Sequence, residues 1–428
     1  MVNTFSTQSQ KPTRSQVAVH LGAQGIPLGE LGFVRQGRRQ FSVFSYSASW
    51  LAHPARFGVS PDLPLAAGFQ TRKAAMPGES VFHAAIADTA PDVWGRRVIE
   101  RHHAKARRNN PALPALSELD YLCAVDDESR MGALRLKRDG RYLSTAEPGQ
   151  RSTPPFIELE RLYAASRAVE TDQETAQDLA YLLGRGTSLG GMRPKCTILD
   201  EDGHLAIGKF PSVSDGHEVT RAEVLALRLA AMAGIRAALA RCVSIGGVSV
   251  AIIRRFDRTE QQERIPYLSA ASLIGASRDE DRAYTEIVDA LRSVGSEPVL
   301  DARELWRRLV FNLLITNTDD HLHNTGFLYD GCGRWRLAPA FDLNPMPGKL
   351  RESKTWLSED TGPIDSMAML LDQCVEFALS REEALQIHAQ IQSVISQWRT
   401  VAMSREVGLN ARELEPLAQA FEHPQIDY

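Results

Sequence analysis

Between Leu305 and Pro345 a strongly apolar stretch gives way to a dense polar loop and then turns apolar again. Any fold of this chain has to accommodate that loop. Residues 303–315 read as a helix: Leu305, Leu309 and Leu313 recur every four residues, with Trp306, Val310 and Leu314 beside them, giving one broad apolar face. Gly326–Tyr329 and Arg334–Leu337 are short runs rich in aromatic and apolar residues. Asp330-Gly331-Cys332-Gly333 between them supplies turn chemistry, so a β-hairpin is expected there. The loop from Asn317 to Asn324 is then held between a buried helix and a hairpin, with Asp342 on the far side. Concentrating Asp319, Asp320, His321, His323, Asn324 and Asp342 between such elements costs free energy unless the groups bind something.

The spacing suggests what is bound. Protein kinases carry a catalytic Asp, an Asn five residues later, and a metal-binding Asp beyond a following hairpin. Asp319, Asn324 and Asp342 stand in that order here. One carboxylate must accept the hydroxyl proton as the phosphoryl group arrives, while an amide oxygen and a second carboxylate hold Mg²⁺ through hard oxygen ligands. Asp and Asn also cap turns, so this pair needs support from elsewhere in the chain.

Composition sets the frame. At 428 residues the chain exceeds one typical domain, and two or three are expected. With 43% hydrophobic and 24% charged residues it can bury a large core. A formal net charge of −4 gives no general footprint of a nucleic-acid binder. Cys123, Cys196, Cys242, Cys332 and Cys374 are scattered and never form a Cys-x2-Cys pair, which fits a reducing compartment rather than a disulfide framework or structural zinc site. The N-terminus lacks an apolar signal core and no run approaches about 18 apolar residues, so the expectation is a cytoplasmic protein without a membrane span.

Along the chain, residues 1–14 are polar and expected to be disordered. Val17–Leu21 and Ile26–Leu31 flank a Gly-Ala-Gln-Gly turn, and Phe41–Tyr46 alternates, so a small β-rich unit is expected. Phe82–Ala104 reads as helical, restarting near Ala90-Pro91-Asp92 with Pro at the first helical position. Residues 138–155 form a loop or linker. Helices near 157–168 and 172–184 then lead into the glycine-rich Gly184–Lys195 segment. Strands at Cys196–Leu199 and Leu205–Phe210 follow, joined by the turn Asp200-Glu201-Asp202-Gly203. A glycine-rich loop feeding a hairpin lets backbone N–H groups approach phosphates closely, although such a loop is often only a turn.

Lys209 closes the second strand, and Glu223 lies fourteen residues on, early in a helix over 222–233. A strand Lys that contacts nucleotide phosphates and pairs with a helix Glu is a second kinase signature. Val248–Ile253 is a buried-type strand ending in Arg254-Arg255-Phe256-Asp257-Arg258, where a kinase would begin the linker between its lobes. Each signal is weak alone. Their order is that of a bilobal phosphotransferase.

These residues resemble the HipA-like serine/threonine kinases, the toxin components of bacterial toxin–antitoxin modules. The resemblance is carried by Ser188-Leu-Gly-Gly-Met-Arg-Pro-Lys195, Ile207-Gly-Lys-Phe-Pro211, Arg255-Phe-Asp-Arg258, Asn317-Thr-Asp-Asp-His-Leu-His-Asn324 and Pro339-Ala-Phe-Asp-Leu343. Phe44-Ser-Tyr46, Ser60-Pro-Asp-Leu-Pro64 and Ala90-Pro-Asp-Val-Trp-Gly-Arg-Arg97 extend it to roughly residues 15–400, nearest to a standalone branch with a Gly-Arg-Gly-Thr-Ser-Leu-Gly-Gly loop. It implies an α+β fold: a bilobal, protein-kinase-like molecule with a small β-rich N-terminal subdomain over 15–110. An N-lobe over 111–255 and a mostly helical C-lobe over 256–428 would follow.

The resemblance also implies roles. Asp319 would be the catalytic Asp, Asn324 and Asp342 the Mg²⁺ ligands, and Lys209 the phosphate-contacting lysine with Glu223 as its ion-pair partner. Gly190, Gly191 and backbone groups at Arg254 and Phe256 would complete the ATP site. Ser188 matches the family's autophosphorylated serine, with Thr187 adjacent as an alternative, and a phosphate there adds about −1.5 to −2 charge where ATP phosphates must sit. His321 would order the loop. The acceptor would be a Ser or Thr hydroxyl on a cellular protein, and the N-terminal unit would meet a HipB-like DNA-binding antitoxin, DNA being reached only through that partner. Arg254 departs from the acidic hinge residue of some members.

Two readings compete. A metal-dependent hydrolase would use Asp319, Asp320, His321 and His323 as ligands, leaving Lys209 and Glu223 without roles. A catalytically silent module that binds an antitoxin or nucleic acid would need none of Lys209, Asp319, Asn324 and Asp342.

Overall fold

Alternation in the first strands decides which way they face. In the computed structural model, which describes residues 12–37, 39–76, 78–143, 152–183, 191–277, 280–348 and 352–422, Val17, Val19 and Leu21 of β1 (Thr13–Leu21) are buried. β2 (Ile26–Gln36) and β3 (Arg39–Tyr46) continue the antiparallel meander, burying Leu28, Leu31, Phe33 and Phe44, and β4 (Gln70–Lys73) closes one edge. At the β1–β2 turn Gly22 and Gly25 take φ of 71° and 68°, and a Cβ on Gly25 would collide with the Tyr142 hydroxyl. The strand already includes Thr13 and Arg14, which the expected disordered tail would have contained.

The six-stranded sheet runs β4-β3-β2-β1-β5-β6, with β5 at Leu134–Arg138 and β6 at Arg141–Tyr142. The boundary expected at residue 110 therefore fails in one direction, because β5 and β6 join the N-terminal sheet. It fails in the other direction too. Helix α1 (Val93–Asn109) packs Trp94 and Val98 with Leu159, Leu162, Phe210 and Ile252, in the core of the next unit. Asp92, not Pro91, begins α1: its side chain accepts from the Gly95 N–H at 2.7 Å as N-cap.

That next unit is a four-stranded antiparallel sheet, β7-β8-β10-β9, made of β7 (Lys195–Leu199), β8 (Leu205–Lys209), β9 (Ala240–Ile245) and β10 (Val248–Arg254). Helices α2 (Leu159–Glu170) and α3 (Ala176–Leu182) pack in its second core. Helix α4 (Val219–Met232) is buried nearly all round, from Thr220 through Leu229, with Glu223 inside it. The remainder is mostly helical. It includes α5 (Tyr284–Val294), α6 (Pro298–Leu314), α7 (Arg381–Ile395) and α8 (Ala411–Phe421), with a small sheet of β11 (Tyr267–Ser269), β12 (Gly326–Gly331) and β13 (Arg334–Leu337). Helix α6 starts five residues before 303 because Pro298 suits the first helical turn.

The unit carrying the first sheet is fastened to both later parts. Asp257 lies fully buried between Arg255 (Nη2 at 2.6 Å) and Arg258 (Nη1 at 2.7 Å), and accepts the Gly132 N–H at 2.7 Å. Arg255 also donates to the Ser129 carbonyl at 2.6 Å. Arg255-Phe-Asp-Arg258 thus ties the end of β10 to residues 129–132. Elsewhere Asp88 accepts from the Ser269 N–H and hydroxyl at 2.7 and 2.9 Å, and Phe57 stacks on Tyr329 of β12 with ring centroids 3.8 Å apart. Removing the central charge leaves two buried guanidiniums uncompensated, so Asp257→Ala should lower the unfolding free energy by about 3–5 kcal/mol in urea titration. A loss below about 1 kcal/mol would show that the cluster does not hold the units together.

Candidate functional site

The cleft lies where β7, β8 and β10 meet the segment that follows β13. Met131, Ile207, Ile253, Phe256 and Phe341 give it apolar walls, and Lys195, Lys209 and Asp342 a charged end. Lys209, the last residue of β8, extends its ammonium to Glu223 Oε1 at 2.6 Å and Asp342 Oδ1 at 2.8 Å. Burial works against the lysine charge, but Asp342 and Glu223 outweigh it and hold the group above the usual lysine range. Burial likewise works against the Asp342 charge, yet Lys209 and Lys195 hold that carboxyl below its usual range. Glu223 is shifted the other way, raised by burial that Lys209 only partly offsets.

Asp342 sits where it does for backbone reasons. The Ala340 N–H donates to the Arg236 carbonyl at 2.7 Å and the Ala340 carbonyl accepts from Ala238 at 2.9 Å, stitching this segment beside the residues after α4. Asp342 itself takes φ 55°, a left-handed conformation uncommon for an Asp, and Asn344 Nδ2 bonds its Oδ1 at 3.0 Å.

The loop after α6 brings Asp319 and Asn324 together. Asn324 Nδ2 donates to the Asp319 carbonyl at 2.8 Å, which fixes the amide and leaves its buried Oδ1 without a hydrogen-bond partner among the described residues. The Asp319 carboxylate is about one-third exposed and forms an ion pair with Lys354. Asp320 turns inward: Tyr284 Oη donates to Oδ2 at 2.8 Å and the Lys354 N–H to Oδ1 at 2.7 Å. Burial pushes the Asp320 carboxyl up to about 6. His321 is lowered, by burial first, and its Nδ1 is buried and unpartnered among the described residues. The hydrolase ligand set does not converge, since Asp320 faces Tyr284. Among the described residues no group of three or more His, Cys, Asp or Glu side chains is placed to hold a metal ion.

At the hinge, the Arg254 and Arg255 N–H groups are committed to the Leu239 and Leu205 carbonyls at 2.8 and 3.0 Å. Phe256 makes no backbone hydrogen bond among the described residues, so its own N–H and carbonyl are available. The Arg254 side chain turns to Glu260 at 2.7 Å. Gly191, with φ 111°, closes against Lys195. Thr187, Ser188 and Gly190 lie outside the described residues. Lys195 and Asp92 carried no assigned role in the sequence. Lys195 pairs directly across from Lys209 in the β7–β8 register, and its ammonium meets Asp92 Oδ2 at 3.0 Å with both side chains almost fully buried. The Asp200–Gly203 turn fixes that register, so the facing lysines were inferable from it.

Residues 187–398 match the HipA-like C-terminal domain. Two curated relatives align with the chain. A candidate kinase, Y4mE, of Sinorhizobium fredii is 27% identical over 190 residues, 39% of this chain and 44% of that protein. A candidate kinase of Haemophilus influenzae is 26% identical over 187 residues, 38% and 54% of the two chains. The chain thus spans about half the length of the curated relatives it matches. Among solved structures, HipA of Shewanella oneidensis, in a toxin–antitoxin complex with HipB and operator DNA, superposes with a TM-score of 0.69 at 18% identity over 95% of each chain. The fold is therefore the α+β, bilobal, kinase-like fold of HipA, and residues 187–398 carry a HipA-like C-terminal domain.

Asp320 gives this region a measurable pH signature. A carboxyl raised in the folded state stabilises the fold below its unfolded value near 3.8, and that contribution disappears as pH rises through about 6. Relative to Asp320→Asn, the wild type should lose stability between about pH 4 and 7, on the order of 1–3 kcal/mol by urea unfolding. A difference independent of pH would contradict this.

Proposed function

We propose that the chain is an ATP- and Mg²⁺-dependent serine/threonine protein kinase. The observation that carries this reading is the convergence of Lys209, Glu223 and Asp342, from three distant stretches, at one end of an apolar-walled cleft. Adenine would dock on the Phe256 backbone, and Lys209, Lys195 and the glycine-rich segment through Gly191 would meet the phosphates. The unpartnered Asn324 Oδ1 and the Asp342 carboxylate are the hard oxygen donors that Mg²⁺ requires, and they would hold it. When bound, the ion neutralises charge on the phosphates.

Asp319 is the carboxylate left open to solvent beside this pair, and its role is to orient the acceptor hydroxyl and take its proton. The acceptor is a Ser or Thr on a cellular protein. Phosphorylation of Ser188, or of Thr187 beside it, would place negative charge where the ATP phosphates sit and switch the enzyme off. Given the HipB and operator DNA in the Shewanella complex, a HipB-like antitoxin is the natural partner, meeting the N-terminal unit and bringing any DNA contact with it. Among the described residues no helix is long and apolar enough to cross a membrane.

Incubation with Mg²⁺-ATP, followed by intact mass and peptide mapping, tests the reading. The wild type should gain a single phosphate at Ser188, and Asp319→Asn should slow this by a factor of 10²–10⁴, the usual range for a positioned general base. An Asp319→Asn protein that phosphorylates at the wild-type rate would remove Asp319 from this role.

A further inference from the structure

Lys354 forms an ion pair with Asp319 although both side chains are substantially exposed, Lys354 more than half. Exposed pairs of this kind add little to stability, so the contact is not explained by folding. Its backbone, by contrast, is held firmly. The Lys354 N–H donates to the buried Asp320 Oδ1 at 2.7 Å, and Thr355 Oγ1 donates to the Asp320 carbonyl at 2.8 Å. Trp356 donates to the Arg282 carbonyl at 2.9 Å and accepts from the Tyr284 N–H at 2.8 Å. Tyr284 in turn holds the other Asp320 oxygen at 2.8 Å. A chain 30 residues beyond the loop is thus clamped so that one flexible cation reaches the partly exposed Asp319 carboxylate. The Lys209 ammonium is committed to Glu223 and Asp342, so Lys354 is a separate positive charge on the acceptor side of the site.

We infer that Lys354 is a catalytic residue of the phosphoryl transfer: its ammonium leaves Asp319 for the transferring group's oxygens as charge develops on them. This rests on the kinase reading above. In the step, the bond between the γ-phosphorus and the β,γ-bridging oxygen breaks, and a bond from the acceptor hydroxyl oxygen to that phosphorus forms. The hydroxyl proton passes to the Asp319 carboxylate, and ADP leaves with the bridging electron pair. A cation beside both Asp319 and the transferring oxygens stabilises the transition state more than the ground state, because negative charge accumulates there only during transfer. In the resting protein the same ammonium keeps the Asp319 carboxylate oriented.

The test is the rate of autophosphorylation, followed by intact mass as a function of Mg²⁺-ATP concentration, for wild type, Lys354→Ala, Lys354→Met and Lys354→Arg. Thermal unfolding of each variant serves as the control. The maximal rate should fall on the order of 10²-fold in Lys354→Ala and Lys354→Met, the ATP concentration for half-maximal rate should stay within about threefold, and Lys354→Arg should recover part of the loss. A maximal rate within twofold of wild type, an increased rate, or a change confined to the ATP dependence would overturn the inference and leave the kinase reading standing. A wild type that transfers no phosphate would remove both.

Discussion

The structure depends on keeping one largely buried lysine charged. Lys209 lies 2.6 Å from Glu223 and 2.8 Å from Asp342, and each of these charges would be costly in the cleft without the others. Three parts of the chain must therefore be placed together. β8 has to end at Lys209, α4 has to pack with Glu223 facing the sheet, and the chain after β13 has to pass beside the residues that follow α4. The last condition is met by the Ala237–Ala340 bridge and by an Asp342 backbone held at φ 55°. A largely buried ion triad of this kind is weak support for stability, which makes a ligand-binding role the better account of it.

The N-terminal unit is more than an appendage to this arrangement. Asp92, where the chain leaves this unit to enter α1, pairs with Lys195, which faces the cleft beside Lys209. Its residues 129–132 are bound by Arg255, Asp257 and Arg258 at the hinge, and Asp88 holds Ser269 next to the loop that carries Asp319. A shift of the unit would be felt at the charged end of the cleft, in the segment after β10 and at the polar loop through these direct contacts.

Much of this was legible in the sequence because it is local. The period-four stripe of Leu305, Leu309 and Leu313, the Asp330–Gly333 turn, and the alternation of Val17, Val19 and Leu21 each report on neighbours a few residues away. The pairing of Lys209 with Glu223 was legible as spacing, whereas the contact of Lys209 with Asp342, over a hundred residues on, was not. What escaped was non-local. β5 looked like part of the middle unit because nothing in Leu134–Arg138 reveals that its partner is β1, over a hundred residues earlier. The facing of Lys195 toward Asp92, and of Lys354 toward Asp319, joins stretches with no periodic signal between them. Arg255-Phe-Asp-Arg258 read as a hinge, whereas its charges are buried against residues 129–132.

The central claim is that this cleft binds a nucleotide through its lysine and a metal through Asp342. Calorimetric titration of ATP into the wild type and Asp342→Asn, each with Mg²⁺ and with EDTA, tests it most directly, with circular dichroism confirming that both proteins are folded. The account predicts that ATP binds the wild type much more tightly with Mg²⁺ than without, and that this metal dependence disappears in Asp342→Asn. ATP binding that is indifferent to both Mg²⁺ and the substitution, or no ATP binding by the folded wild type, would contradict it.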